Sequence, residues 1–177
     1  KEMIALLRKQ VTTGAFNGYW QNMFLAARYC LENNINLDEG LQWAYQSVNG
    51  SFGAPHFNAL STLAGLLDKL GKKEESDSVL KKALAAATMT ELNAYAGSIL
   101  RKKRVTEAFD LFNLNYERNP GAATAVIGMA RGHAARGNNK EALYYARKAL
   151  ALAPDEKFKA MVEKMILALK EGKDIDQ

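Results

Sequence analysis

The chain has 177 residues, 48% hydrophobic and 24% charged, with a net charge of +5 and three prolines. That composition excludes a long disordered region, and no apolar run approaches the roughly 20 residues that cross a bilayer as a helix. The mild positive charge does not by itself imply a nucleic-acid partner, and the one cysteine, Cys30, can form neither an internal disulfide nor a multi-cysteine metal site.

The first residue is Lys1, which reads as a processed start or as part of a longer protein. KEMIALLRKQ (1–10) predicts a short amphipathic helix, with Ile4, Leu6 and Leu7 as its apolar positions. VTTGAFNG then reads as a loop. Phe16, Tyr19 and Trp20 follow as aromatics that cover the open end of what comes next, or that form an aromatic pocket.

From Gln21 to Pro154 the chain repeats itself. The clearest copy pairs AATAVIGMARGHAAR with NNKEALYYARKALALAP, two helices split by Gly137, whose position suits a helix end. Asn138 and Glu141 have the spacing of a capping box. Going back 34 residues from Pro154, Ala142 and Ala130 gives Pro120, Ala108 and Ala96. This earlier copy predicts helices from about Met89 to Lys102 and from about Val105 to Glu117, with Thr88 and Glu91 as a second capping box. Ala64 and Ser76 are the small pair of a copy turning at Gly71, and Ala27 and Gly40 the pair of the first. The first copy needs a longer turn, NNINL, with Asn34 left-handed at the helix end. The second-helix markers Gly40, Ser76, Ala108 and Ala142 are 36, 32 and 34 apart. Small side chains there let two antiparallel helices approach, and larger neighbours such as Leu60, Leu63, Leu67, Ile99 and Phe112 fill the flanks.

After Pro154, Asp155 caps a last helix. Phe158, Met161, Met165, Ile166 and Leu169 make its apolar face, and residues 172–177 are expected to fray.

Little of this points to chemistry. His56 follows Pro55 at a helix start and His133 lies on an inward helical position; both read as structural histidines. An enzymatic reading needs a cleft that gathers them with a carboxylate. Cys30 reads as a small buried apolar group. Glu74 and Glu75 suit the first turn of a helix. The run Arg101, Lys102, Lys103, Arg104 suits a solvated turn at a helix C-terminus; without interleaved aromatics it does not call for nucleic acid. No phosphate loop or zinc motif is present, and no cofactor or metal is expected.

The period, the small residues at Ala96, Ala108, Ala130 and Ala142, and the closing Pro120 and Pro154 resemble the tetratricopeptide repeat (TPR). The family's tryptophan at the fourth position is missing; Met23, Leu60, Leu92 and Val126 stand there. The stretch from Trp20 to Thr88 also looks like the helical tail of uncharacterised secreted bacterial proteins. The resemblance implies an all-α solenoid: a single domain, 1–177, with an N-terminal helix and loop (1–19), repeats at 20–54, 55–88, 89–122 and 123–154, a capping helix (155–171) and a tail. It implies a non-catalytic scaffold that takes a peptide or partner helix in a concave groove. Carried over repeat by repeat, the lining is Phe24, Arg28, Asn58, Asp68, Asn93, Arg101 and Arg131, which suits a weakly acidic or polar partner. Some members clamp a C-terminal carboxylate with a lysine and an asparagine in the first repeat. Phe24 and Arg28, or Leu25 and Tyr29 in the other register, stand in those places, so that clamp is not expected. Self-association through the groove is an alternative use of the same face. A second reading is a helical accessory domain of a larger bacterial secreted or envelope protein. Membrane insertion is not expected, and a periplasmic or secreted location is compatible with the sequence.

Overall fold

The computed structural model describes residues 2–13, 20–50, 54–173 and 175. Among them the chain is all-α, with ten helices and no strand: α1 (Glu2–Thr13), α2 (Trp20–Asn33), α3 (Leu37–Asn49), α4 (Phe57–Lys69), α5 (Lys73–Ala86), α6 (Met89–Arg101), α7 (Val105–Arg118), α8 (Ala123–Ala135), α9 (Asn139–Ala151) and α10 (Glu156–Lys170). Contacts divide them into two compact units, residues 1–87 with α1–α5 and residues 88–177 with α6–α10.

Four helical hairpins, α2–α3, α4–α5, α6–α7 and α8–α9, carry the architecture. Their turns are too short for anything but antiparallel packing. In the first unit α4 packs on both α2 and α3; in the second α8 packs on both α6 and α7, and α10 packs on α9. Within each unit the later hairpin thus lays its first helix on the hairpin before it, the stacking of a helical-repeat fold.

The small residues are where the helices meet. Ser76 on α5 is buried and its hydroxyl donates to the Ala64 carbonyl on α4 at 2.8 Å. A Cβ on Gly40 of α3 would lie 2.7 Å from the Cβ of Cys30 on α2. Ala108 and Ala142 are fully buried. Serine is tolerated at such a position because its hydroxyl finds a backbone acceptor at the point of contact.

Every first helix ends alike. A left-handed residue follows it: Asn34 (φ 53°), Gly71 (77°), Lys103 (61°) and Gly137 (77°). The next N–H then donates five residues back, Ile35 to Cys30, Lys72 to Leu67, Arg104 to Ile99 and Asn138 to His133, at 2.9–3.3 Å. This is the Schellman arrangement, which satisfies carbonyls the helix leaves open. α10 ends the same way, with Gly172 at φ 68° and Lys173 N–H on the Ala168 carbonyl at 2.9 Å.

Three expectations change. α1 does not stop at Gln10: it runs through Thr13, and Val11, read as loop, is buried with Ile4 and Leu7, while Leu6 is exposed. The 4–7–11 spacing makes one helical stripe. The remainder of the predicted loop, with Phe16 and Tyr19, lies outside the described residues. The Asn138 side chain makes no capping bond, because its backbone is already held by the Schellman link at φ −84°, ψ 66°. On α10, Leu169 is buried and Phe158, Met165 and Ile166 pack against the same core as expected, whereas Val162, not among the expected residues, is fully buried and Met161 is 45% exposed. Of the tail, Ile175 is half-buried against the core that holds Val162 and Leu169.

Two caps form as predicted. Thr88 accepts the Glu91 N–H while the Glu91 carboxylate accepts the Thr88 N–H, and Asp155 accepts the Phe158 N–H at 2.7 Å. Each contributes about 1 kcal/mol to its helix.

Candidate functional site

The second unit holds two cavities, of about 880 and 660 Å³. Asn93 of α6 and Thr124, Ile127 and Arg131 of α8 wall the larger on one side. Of these, Ile127 is buried and Asn93, Thr124 and Arg131 are half-buried. Phe158, Met161 and Met165 of α10 form the other wall, with Lys157 and Lys164 at its edge. The smaller cavity lies at the C-terminal ends of the same helices, with Arg101, Lys103, Ala134, Leu169 and Lys173 in its lining. Among the described residues, Ile175 is the one common to both linings. The charged side chains in the two linings, among the described residues, are Arg131, Lys157 and Lys164 in the larger and Arg101, Lys103 and Lys173 in the smaller, with no carboxylate.

Arg131 is positioned by an absent side chain. Its guanidinium packs where a Cβ on Gly97 would be, 3.2 Å away, and sits 5.3 Å over the Phe112 ring. Asn93 lies against α8 in the same manner: its Oδ1 is 3.2 Å from the position of a Cβ on Gly128. That oxygen is buried and has no hydrogen-bond partner among the described residues.

The predicted lining residues fall into two groups. Asn93 and Arg131 line one cavity and Arg101 the other. Phe24 and Arg28 on α2, and Asn58 and Asp68 on α4, belong to the first unit. Phe24 is half-buried with its ring 6.0 Å from that of Trp20. Arg28 pairs with Glu32 at 2.7 Å, Asp68 lies 3.7 Å from the Lys73 ammonium, and Asn58 is exposed. The α10 wall was missed in the sequence. The signal was there in two adjacent apolar stripes, 158–161–165 and 162–166–169, of which only the second holds buried side chains.

Other groups with chemical potential are taken up in packing. Cys30 is buried under Gly40, and burial raises its thiol pKa. Tyr45 donates to Glu75, which holds the phenol neutral up to about 12. His56 packs on Trp20 at 4.9 Å. No group of three or more His, Cys, Asp or Glu among the described residues can hold a metal ion. No helix among them is long and apolar enough to cross a membrane.

His133 is stacked on Tyr145 at 5.3 Å and meets Phe109 edge-on at 5.0 Å. Burial lowers its pKa below the ordinary 6.5. The folded chain therefore refuses a proton that the unfolded chain accepts. Its contribution to stability is complete above 6.5 and declines as pH falls from there toward the lowered folded value. Thermal melts between about pH 7.5 and 5.5 are expected to show Tm falling with pH, with a smaller fall in His133→Phe.

The helices and their packing define a class, the helical-hairpin repeat protein. No family model matches the chain, and no curated protein matches it. Among solved structures it is similar to YrrB, described as a TPR protein with an unusual peptide-binding site. The identity is 16% over 92% of this chain and 82% of that one, with a TM-score of 0.49.

Proposed function

We propose that this chain is a non-catalytic interaction scaffold that holds a peptide or partner helix on its first-helix faces. The observation that carries the reading is the trough these cavities make in the second unit, cationic among the described residues, with the unpartnered Asn93 oxygen beside it. A buried acceptor left unpaired costs about 1–3 kcal/mol. A backbone N–H from a bound chain offsets that cost once the Asn93 amide turns toward the cavity. Arg131 and Arg101 supply planar donors for carboxylates. Phe24, Arg28, Asn58 and Asp68 present the corresponding positions in the first unit.

The test is selection from a displayed library of random peptides on the full chain. Enriched peptides are expected to be acidic and to bind Asn93→Ala/Arg131→Ala about tenfold more weakly, a loss of about 1.4 kcal/mol. Gly97→Ala should also weaken them, since it pushes the Arg131 guanidinium out of its seat while leaving the fold intact. Enriched peptides that bind all three proteins equally would place the function elsewhere.

A further inference from the structure

In the first helix of each of the four hairpins, one stripe of buried or half-buried residues lies at a fixed count from the left-handed end. Contacts from the second helix reach it in α2, α4 and α8. Counting eleven, seven and four residues back from the left-handed residue gives Met23, Ala27 and Cys30 in α2, and Leu60, Ala64 and Leu67 in α4. The same count gives Leu92, Ala96 and Ile99 in α6, and Val126, Ala130 and His133 in α8. All are buried except the half-buried Met23 and His133. Second helices supply the cover: Gly40 on Cys30, the Ser76 hydroxyl on Ala64, the Tyr145 ring on His133.

Counting back from Gly172 gives Met161, Met165 and Ala168 in α10. α10 packs on α9 and buries Val162 and Leu169, whereas this stripe faces the larger cavity. Met165 stands where the other four helices have alanine.

The surroundings of the stripe select what can cover it. Arg131, Lys157 and Lys164 border it and no carboxylate does among the described residues. Lys157 lies in the first turn of α10, where the helix dipole disfavours a cation, so helix stability does not account for it. A second copy of the chain would set its own lysines against these. Ile175, half-buried between the two cavities, shows the trough accepting an aliphatic side chain, and in sequence it has Asp174 and Asp176 as neighbours.

We propose that the Met161–Met165–Ala168 stripe docks an acidic amphipathic helix from a partner, which lies on α10 as α9 lies on α8. This rests on the reading of the trough as an interaction surface and specifies its ligand. The partner helix has an apolar stripe with a small residue opposite Met165, and Asp or Glu on its flanks. It is 13–14 residues long, as α3, α5, α7 and α9 are, and it displaces Ile175.

The probe is a synthetic helix-stapled peptide with a leucine stripe, a central alanine and flanking glutamates. Its control carries lysines in place of the glutamates. Fluorescence anisotropy on the full chain should show the acidic peptide bound and the basic one not. Met161→Asp and Met165→Asp should each weaken it at least tenfold; Met161 is exposed enough that its variant keeps the parent melting curve. Lys157→Glu/Lys164→Glu should reverse the preference. Equal binding of both peptides, or full affinity in both methionine variants, would overturn the proposal. So would a dimer in sedimentation that Met161→Asp dissociates, which assigns the stripe to a second copy. If library-selected peptides need Asn93 and Arg131 but ignore Met161 and Met165, the scaffold reading stands and this one falls.

Discussion

Phe112→Ala is expected to destabilise the second unit by about 4 kcal/mol, measured as a lower midpoint in urea with an unchanged slope. The ring is fully buried. It fills space that two glycines leave on α8: a Cβ on Gly128 would lie 2.7 Å from its Cδ1, and one on Gly132 3.4 Å from its Cδ2. Glycines offer no side chain to collapse into the gap, so the void persists and the loss falls in the upper part of the 3–5 kcal/mol range for phenylalanine. The reverse change tests the same contact. Gly128→Ala gains about 1 kcal/mol of helix propensity but overpacks the ring at a cost of roughly 1–3 kcal/mol, so a net loss is expected. In a Phe112→Leu background that loss should shrink by about 1 kcal/mol, the coupling expected of residues in contact. Strict additivity would show that the ring and the glycine do not touch in solution.

Gly40→Val is the second large effect, about 3 kcal/mol in the first unit by chemical denaturation. The clash differs in kind from the others. Its neighbour at 2.7 Å is a Cβ, that of Cys30, which no rotamer change can move. Relief requires α2 and α3 to separate. At Gly97 the neighbour is the far end of Arg131 at 3.2 Å, which swings aside. Gly97→Ala is therefore expected to leave stability unchanged or raise it by up to about 1 kcal/mol. Equal losses at the two positions would mean that the helices do not approach as closely as α2 and α3 do here.

The repeats were legible because helix contact leaves a record in residue size. A crossing admits only small side chains, and Ala96, Ala108, Ala130 and Ala142 keep their spacing whatever surrounds them. The Thr88–Glu91 box was legible for a similar reason, since both partners are local. Asn138 was misleading: its side chain is a good cap, but Lys72, Arg104 and Asn138 all take the same turn geometry, near φ −85° and ψ 65°, and the turn overrides the cap. Val11 looked like a helix end beside two threonines, and only packing with Ile4 and Leu7 extends the helix past it. For the site, Asn93 and Arg131 followed from repeat position. Lys157, Lys164 and Met165 did not, because they stand on a helix outside the counted repeats, and periodicity cannot say which of two neighbouring stripes turns inward.

Among the five left-handed helix ends, one residue is out of character. Asparagine and glycine adopt that conformation readily, but Lys103 carries a Cβ into it at φ 61°, a cost of about 1–2 kcal/mol. Lys103→Gly should recover most of that and raise Tm. Such a swap, attractive to anyone hardening this protein for use, would also strip an ammonium from the mouth of the smaller cavity. On the proposed reading, robustness and reception of an anionic guest thus pull that one turn in opposite directions.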